Sequence, residues 1–451
     1  MDSHTLPDAP DQRHPWLEKI GFKTGRQFGG FLTVVASGQL IYSGFEAFKA
    51  VFYNVLLKAL HLTNAQLGII FSLIGIAVFF YIPGGWFNNR FSVKSILIVS
   101  LTIRFLTMLI VIFGNPNFTV MRIIATIWGL VDAVFWPAIL NGVDMLSDPG
   151  HKGLSYGLLE SLRRTLEMIM NLALVAVMSA VSGIAVFKGG MFVYNLLILP
   201  LIICIIKLVP NNGIAADEKQ AQKDKSMDAL RGLGKVLLMP KLWLAAITAC
   251  TIYWSYINVV YTVPYLQAVF HIKQTYASLF GVLNTGAVGV IACLISGMLA
   301  DYVFHSTSKM IFSSMLLTLL AIIGVLILPK TQKMLWPTMI LLLIFSFTMF
   351  LAKGIFMAPI SEADVPKKYT GAAMSLGSFM GYVPDLFAYG INGAIIDANR
   401  PVAAYTKIFT IGAVVTLIGI VTAGIMMANN WQKDKERHLA AKAARKQAYK
   451  K

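Results

Sequence analysis

The sequence predicts an all-α protein that crosses a membrane many times. Of its 451 residues, 57% are hydrophobic and only 13% are charged, whereas soluble domains carry about 25% charged residues. So little charge cannot cover the surface of soluble domains of this total length. Apolar runs of the length that spans a bilayer, about 20 residues, also follow one another along the chain. These observations exclude a soluble enzyme, a nucleic-acid-binding protein and a disordered scaffold.

The apolar runs predict twelve transmembrane helices separated by polar breaks. Glycine and proline inside the runs are compatible with membrane helices, because neighbouring helices satisfy the freed backbone groups. The predicted spans, numbered 1 to 12 in chain order, are 29–58, 66–88, 95–114, 119–143, 154–181, 190–209, 242–268, 275–300, 308–329, 335–360, 370–395 and 402–428.

One long polar segment, 210–241, divides these spans into two bundles of six helices, 29–209 and 242–428. The ends, 1–28 and 429–451, are predicted to be cytoplasmic tails, the second strongly basic. Apolar residues at helical spacing inside 210–241 indicate that part of this linker lies on the membrane surface as an amphipathic helix. A plain tether is an equal alternative.

The basic residues predict the orientation of the chain. The formal net charge is +17, and most Lys and Arg lie in the tails and in the linker. Because basic loops stay on the cytoplasmic side, both termini and the linker are expected there, in a cell (inner or plasma) membrane. The N-terminal tail lacks the pattern of a cleaved signal peptide.

An internal repeat supports the division into two halves. Gly85 ends span 2, Asn89 follows four residues later, and Lys94 closes a short basic turn. Gly297 and Asp301 repeat this spacing after span 8. The two segments resemble the G-x-L-A-D-R-x-G-R-K signature of the major facilitator superfamily.

This resemblance implies two pseudo-symmetric six-helix bundles, with the signature latching them together on the cytoplasmic side. Asn89, Arg90 and Asp301 are therefore gating candidates. Asn89 stands where the superfamily has Asp, which reduces the expected ion pair to a hydrogen bond. The segments 153–164 and 381–385 further resemble the branch of YihN-type transporters, neighbours of the organophosphate antiporters.

Ionisable residues inside the predicted spans are the main candidates for function. Each costs about 2.5–3.5 kcal/mol near the bilayer centre, so it must be paired, hydrated or functional. Away from the span ends, at membrane depth, five basic residues balance five acidic ones: Lys49, Arg104, Arg163, Arg164 and Lys353 against Glu46, Asp132, Glu160, Glu167 and Asp385.

The resemblance implies that spans 1, 4, 7 and 10 line a central cavity. Ionisable and polar residues on these spans are therefore the first candidates for coupling and for substrate binding. Glu46 and Asp132 are candidates for proton coupling, and Asp385 is a further coupling or gating candidate. Alternatives are an ion pair of Glu46 with Lys49 in its own helix, Asp132 bound to a neighbouring helix, and Asp385 as the partner of Lys353. The predicted substrate-binding residues are Lys49, Asp132, Trp136, Tyr253, Tyr256, Asn258, Asn284 and Lys353.

Span 5 carries Glu160, Arg163, Arg164 and Glu167, in which each arginine lies within one turn of both glutamates. This cluster is expected chiefly to hold structure or a gate, although its guanidinium groups could also bind a carboxylate or phosphate. Arg104 in span 3 is expected to have a partnered structural role.

The predicted function is secondary active transport, by alternating access, of a small polar organic solute, preferably an organic anion. A phosphate loop is absent from the sequence, so an ATP-driven pump is disfavoured and proton coupling or solute exchange is expected. Neither a metal site nor a cofactor is predicted, and the expected partners are the solute, the lipid bilayer and protons, with a monomeric chain. The alternative is a lipid flippase or a non-transporting membrane receptor with the same fold.

Overall fold

The structure is a computed structural model. The residues that it describes are Leu17, 22–88, 90–147, 152–211, 234–361, 363, 365–366 and 370–431. These residues form helices and turns, and none of them forms a β-strand. The all-α fold class is therefore confirmed, whereas the predicted surface helix of the linker and most of both tails lie outside the described residues.

Helices of the first half occupy the positions of predicted spans 1 to 6. Short irregular segments divide spans 1, 2 and 6 into two helices each. In chain order the helices are α1 (Gly25–Ser43), α2 (Tyr53–Leu60), α3 (Asn64–Ile74), α4 (Ala77–Asn88), α5 (Val93–Phe113), α6 (Phe118–Leu146), α7 (Lys152–Ala180), α8 (Ile184–Leu196) and α9 (Ile198–Leu208).

Helices of the second half occupy the positions of predicted spans 7 to 12, and spans 7, 8, 10 and 11 are divided. The helices are α10 (Pro240–Ile257), α11 (Thr262–Phe270), α12 (Gln274–Gly281), α13 (Val288–Met298), α14 (Thr307–Ile327), α15 (Leu335–Gly354), α16 (Ala358–Ser361), α17 (Thr370–Tyr382), α18 (Ala388–Ala398) and α19 (Pro401–Asn429).

Eight helical segments among the described residues are long and apolar enough to cross a membrane. A ninth candidate joins Tyr53–Leu60 to Asn64–Phe80 across a bend of 99°, and in the twelve-span interpretation these two pieces belong to spans 1 and 2. The eight segments are Val93–Phe113, Phe118–Leu146, Ile184–Leu208, Pro240–Phe270, Gln274–Met298, Thr307–Ile327, Gln332–Ile360 and Pro401–Asn429. The count of twelve, which adds the charged span 5 and the broken spans 1, 2 and 11, fits this arrangement and stays a prediction.

Side chains at the helix starts explain where several helices begin. The hydroxyl of Thr24 accepts a hydrogen bond from the backbone N–H of Gln27. Thr63 and Gln66 form a reciprocal capping box at α3. Such caps satisfy N–H groups that have no partner inside the helix.

Equivalent helix ends in the two halves share an unusual backbone conformation. His61 ends α2 with φ 53°, and His271 ends α11 with φ 54°. Both residues follow the second helix of the first span in their half, at a place where the left-handed region usually favours Gly or Asn. This second internal repeat supports the pseudo-symmetry of the two bundles.

The halves pack against each other through spans 2 and 11 and through spans 5 and 8. The closest approach joins α3 to α18. A Cβ added to Gly68 would overlap the backbone carbonyl of Tyr389, and one added to Gly393 would overlap that of Asn64. Only glycine allows the two backbones to come so near at these positions.

One end of the molecule, here called the Asp397 end, is closed by contacts between the halves. The carboxylate of Asp397 accepts hydrogen bonds from the backbone N–H groups of Asn64 and Ala65, at 3.2 and 2.7 Å. The amide of Asn54 donates to Gln267 at 2.9 Å. Spans 2 and 11 and spans 1 and 7 are thereby joined at this end.

Asp397→Ala is expected to loosen the Asp397 end. A carboxylate at a helix N-terminus satisfies free N–H groups, and the loss of such a cap costs about 1–2 kcal/mol. That loss would change the ratio of closed to open forms roughly 5- to 30-fold. Spin labels are attached to cysteines introduced at positions 62 and 399 in a variant without the native cysteines. Double electron–electron resonance then measures the distance between the two labels. Asp397→Asn, which keeps an acceptor oxygen, should show a smaller increase, and unchanged distances in both variants would contradict the role of this carboxylate.

Candidate functional site

A cavity of about 290 Å³ lies between the two halves. It is lined by residues of predicted spans 1, 2, 4, 5, 7, 10 and 11. The lining residues are Gln39, Tyr42, Glu46, Ala47, Lys49, Phe71, Ile74, Gly75, Ala77, Val78, Asp132, Trp136, Glu160, Arg163, Arg164, Glu167, Tyr253, Tyr256, Lys353, Tyr382, Asp385 and Tyr389. Charged side chains from both halves therefore meet in one space.

A second cavity, of about 300 Å³, lies near His61 and Asn115 at the Asp397 end. Its lining carries neither a carboxylate nor a Lys or Arg side chain. The central cavity is the stronger candidate, because ionisable groups inside a membrane protein mark functional sites.

Breaks in two helices place charged residues in the central cavity. Between α1 and α2 the chain forms a short 3-10 helix, Glu46–Phe48, with Lys49 directly after it. Between α17 and α18 a second 3-10 helix, Val383–Leu386, contains Asp385. Discontinuous helices with polar groups at the break are a common way to build the site of a membrane transporter.

Glu46 forms an ion pair with Arg104 of α5. The guanidinium carbon lies 3.7 Å from the ring centroid of Trp128, and Arg104 is only 2% exposed. Asp132, one turn after Trp128, has Glu46 and Arg104 as its charged neighbours. The pairing of Glu46 with Lys49 inside one helix is therefore wrong, because the 3-10 turn directs Glu46 toward span 3. Arg104 has the partner that its burial requires.

Lys49 lies among aromatic rings instead. Its ammonium is 4.8 Å from the ring centroid of Tyr389 and 5.6 Å from that of Phe71. Within the described part of the chain, no carboxylate lies within 4 Å of this ammonium. Asp385 is its nearby counter-charge across the cavity.

Lys353 enters the cavity from the opposite half. Its ammonium is 3.5 Å from the ring centroid of Tyr256 and 5.5 Å from that of Tyr253, within the range of cation–π attraction. Asp385, the predicted partner of Lys353, instead accepts a hydrogen bond from the hydroxyl of Tyr253 at 3.0 Å. Among the described residues Lys353 forms no ion pair within 4 Å, so the predicted contact with Asp385 is absent.

The span-5 cluster also faces the cavity. Arg163 pairs with Glu160 at 3.1 Å, and Arg164 pairs with Glu167 at 3.5 Å, as their spacing predicts. The guanidinium of Arg163 also lies 4.7 Å from the ring centroid of Trp136. The cluster thus contributes two self-compensated pairs to the cavity wall. Its structural or gating role stays a prediction.

Tyr256 is the point in the cavity where positive charges converge. Its charged neighbours are Lys353, Arg164 and Lys49, with Glu167 as the acidic neighbour. Lys49 and Arg164 belong to the first half and Lys353 to the second. The space beside this phenol is therefore lined by charged side chains of both halves.

Two predicted binding residues lie outside the cavity lining. Asn258 accepts a hydrogen bond from Asn392 at 3.0 Å, and Asn284 donates to Thr262 at 3.1 Å. Both are almost fully buried and connect neighbouring helices of the second half. Their positions favour a packing role over direct contact with a solute.

The predicted latch region is only partly described. Asn89 and the side chain of Asp301 lie outside the described residues, and Arg90 is exposed just after α4. Asn88, the last residue of α4, is buried, and its side-chain amide donates a hydrogen bond to the backbone carbonyl of Val134 at 2.9 Å. Asn88 therefore joins span 2 to span 4, a contact that the signature pattern did not indicate.

Sequence reasoning also missed aromatic residues that complete the cavity wall. Tyr42, Phe71, Tyr382 and Tyr389 line it together with the predicted Trp136 and the two tyrosines of span 7. Among the described residues, no group of three His, Cys, Asp or Glu side chains could hold a metal ion. The site offers charges, hydroxyls and ring faces, which suit non-covalent binding of a polar organic molecule.

Comparisons with known proteins agree with this arrangement. The chain is 26% identical over 431 residues to the inner membrane protein YihN of Escherichia coli strain K12, covering 93% of this chain and 100% of that protein. It is 22% identical to the inner membrane protein YqcE of the same organism, over 79% of this chain and 84% of that protein. These relatives support a multi-pass inner membrane protein.

Solved structures show the same fold. The crystal structure of the nucleoside transporter NupG matches with a TM-score of 0.66 at 12% identity, covering 90% of this chain and 99% of that one. The crystal structure of a mutant of the same transporter matches with a TM-score of 0.63 at 13% identity, over 88% and 99% of the two chains. A family model described as Major Facilitator Superfamily matches residues 35–389. Most of the sequence and the arrangement of its helices thus lead to one assignment: the chain belongs to the major facilitator superfamily.

Proposed function

We propose that the protein is a secondary active transporter that carries a small polar organic anion by alternating access. The observation that carries this proposal is the convergence of Lys49, Arg164 and Lys353 around Tyr256. Because the three cations come from both halves, an anion bound there is held by both. Rocking of the halves would then expose it to each side of the membrane in turn.

The preference for an anion follows from how the cations are compensated. Arg164 has Glu167 at 3.5 Å. Among the described residues, the ammonium groups of Lys49 and Lys353 have no carboxylate within 4 Å and lie 4.8 and 3.5 Å from the ring centroids of Tyr389 and Tyr256. With Asp385 as the counter-charge of Lys49 across the cavity, two lysines in opposite halves leave one net positive charge for a ligand. A carboxylate or phosphate between them would relieve the cost of holding unpaired charges at membrane depth.

The size and lining of the cavity favour a small solute. Its volume of about 290 Å³ is near the lower end of small-molecule sites, which run from about 300 to 1,000 Å³. Ring faces and hydroxyls from Tyr253, Tyr382 and Tyr389 can hold the organic part. A lipid with two acyl chains would need a much larger groove, so transport of a solute is preferred to lipid flipping.

The contacts between the halves support an inward-facing state. The Asp397 end is closed, whereas Glu160, whose side chain is 52% exposed, lies on the side of the cavity toward the beginning of α7. In the predicted orientation this side faces the cytoplasm. Closure at one end and exposure toward the other is what a single state of an alternating-access cycle requires.

A thermal-shift screen on the purified protein tests the proposal. The panel contains sugar phosphates, carboxylates and sulfonates, with neutral sugars and nucleosides as uncharged counterparts. A ligand at 100 times its Kd stabilises the folded state by about 2.7 kcal/mol, so an anionic binder should raise the Tm clearly. Stabilisation by uncharged solutes alone would overturn the anion preference. Binding of an anion without its uptake or exchange in proteoliposomes would favour the receptor alternative.

A further inference from the structure

Asp385 is the acidic residue that the second half contributes to the lining of the central cavity. One oxygen of its carboxylate, Oδ2, accepts a hydrogen bond from the hydroxyl of Tyr253 at 3.0 Å. The other oxygen, Oδ1, is buried and has no hydrogen-bond partner among the described residues. A buried acceptor without a donor is unfavourable, because it has lost its water and has no replacement. The carboxylate can therefore accept at least one more hydrogen bond.

Contacts from both halves hold Asp385 in place. It lies in the 3-10 turn Val383–Leu386, where span 11 is broken. Gly75 of span 2 lies directly opposite, and a Cβ added to this glycine would come within 2.8 Å of the Cβ of Asp385. Together with the hydrogen bond from Tyr253, this packing positions the carboxylate before a solute binds, as a specific binding group requires.

The charges around Asp385 indicate what kind of donor fits. Its charged neighbours are the ammonium groups of Lys49 and Lys353. A solute ammonium would bring a third positive charge beside these two, and like charges repel. A hydroxyl group donates a hydrogen bond without adding charge. An uncharged hydroxyl donor is therefore favoured over a cationic one.

One tyrosine connects this acceptor to the cation that is expected to hold an anionic group. The hydroxyl of Tyr253 contacts Asp385, and its ring centroid lies 5.5 Å from the ammonium of Lys353. The ring of Tyr382, which also lines the cavity, packs edge-on against Tyr253 with 4.9 Å between the centroids. A cation and an acceptor therefore lie around a single side chain, within reach of one small solute.

We infer that the transported anion carries at least one hydroxyl group and that Asp385 recognises this group. The inference rests on the proposed function, since it names the class of solute for the same site: a hydroxylated organic anion. The anionic group lies at Lys353, and a hydroxyl donates to the carboxylate of Asp385. An anion of the same carbon skeleton without hydroxyl groups leaves that carboxylate short of a donor, so the site selects against it.

Matched pairs of anions test this inference on the full-length protein in lipid nanodiscs. The pairs are gluconate with hexanoate and glycerol 3-phosphate with propyl phosphate, and only the first member of each pair carries hydroxyl groups. A hydrogen bond to a charged acceptor changes affinity roughly 10- to 150-fold. The hydroxylated member of at least one pair should therefore bind more tightly by about this factor. Titration calorimetry measures both affinities, and empty nanodiscs correct for partition of the apolar members into lipid.

Two substitutions at Asp385 assign the preference to this residue. Asp385→Ala removes the acceptor and should make both members of a pair bind equally, without weakening the member that lacks hydroxyl groups. Asp385→Asn keeps one acceptor oxygen without the charge and should retain a preference of only about 2- to 10-fold. Asp397→Ala is the matched control, because it removes a carboxylate outside the cavity and should leave the ratio of the two affinities unchanged.

The ratio of affinities separates this inference from the proposed function. Equal binding of both members in the wild type, or a preference that Asp385→Ala leaves intact, would overturn the inference while the anion site stands. Tighter binding of the zwitterion 6-aminohexanoate than of gluconate would also overturn it, because Asp385 would then bind an ammonium group. Binding of uncharged solutes but of no anion would overturn the proposed function and this inference with it. If Asp385→Ala does not fold, Asp385→Asn decides, since a preference as large as that of the wild type contradicts the role of the carboxylate.

Discussion

Lys353→Gln is expected to abolish binding of an anionic solute while the protein remains folded. The ammonium rests on the ring of Tyr256 at 3.5 Å and has no carboxylate within 4 Å among the described residues. Its removal therefore breaks no ion pair of the protein itself. Loss of a buried charged contact to a ligand costs about 2–5 kcal/mol, which weakens affinity roughly 30- to 4,000-fold.

Thermal shift and uptake with the best anion of the panel measure this effect. Lys273→Gln is the matched control, because it makes the same change at an exposed lysine in the turn before α12. The competing explanation is that Lys353 mainly neutralises Asp385 across the cavity. In that case Lys353→Gln would lower the Tm without ligand, and the double variant with Asp385→Asn would restore it.

The helices could be predicted from the sequence, because apolar runs of bilayer length have few alternatives. Every predicted span is occupied by helix in the described residues. The breaks inside these spans were harder to predict. The run that contains Glu46 and Lys49 shows as one apolar segment, yet the chain leaves the α-helix between Ser43 and Tyr53.

That break explains why one of the alternative pairings is wrong. Spacing along a helix identifies partners three or four residues away, and on that basis Lys49 is an alternative partner for Glu46. Its partner Arg104 is 58 residues away, on a neighbouring span. Contacts between spans depend on helix rotation and tilt, which a single sequence does not encode in any local pattern.

The span-5 pairs show the opposite case. These four residues lie three or four positions apart on one unbroken helix, and the observed pairs, Glu160 with Arg163 and Arg164 with Glu167, are among those that the spacing allows. The cavity aromatics were not separable from packing residues by sequence. Tyr389, for example, lies in a helix rich in small and apolar residues, and only its place opposite Lys49 indicates a role at the site.

Arg104→Leu is expected to destabilise the protein by about 3–5 kcal/mol, the usual cost of leaving a buried partner charge alone. Glu46 would lose its ion pair, and Trp128 would lose the cation on its ring. Because the destabilisation comes from an uncompensated carboxylate, adding Glu46→Gln should recover much of the lost stability.

Arg122→Leu, at an exposed arginine of α6, is the control. Thermal unfolding in nanodiscs measures all of these variants. If the double variant is no more stable than Arg104→Leu, the arginine acts through packing and not through its ion pair with Glu46.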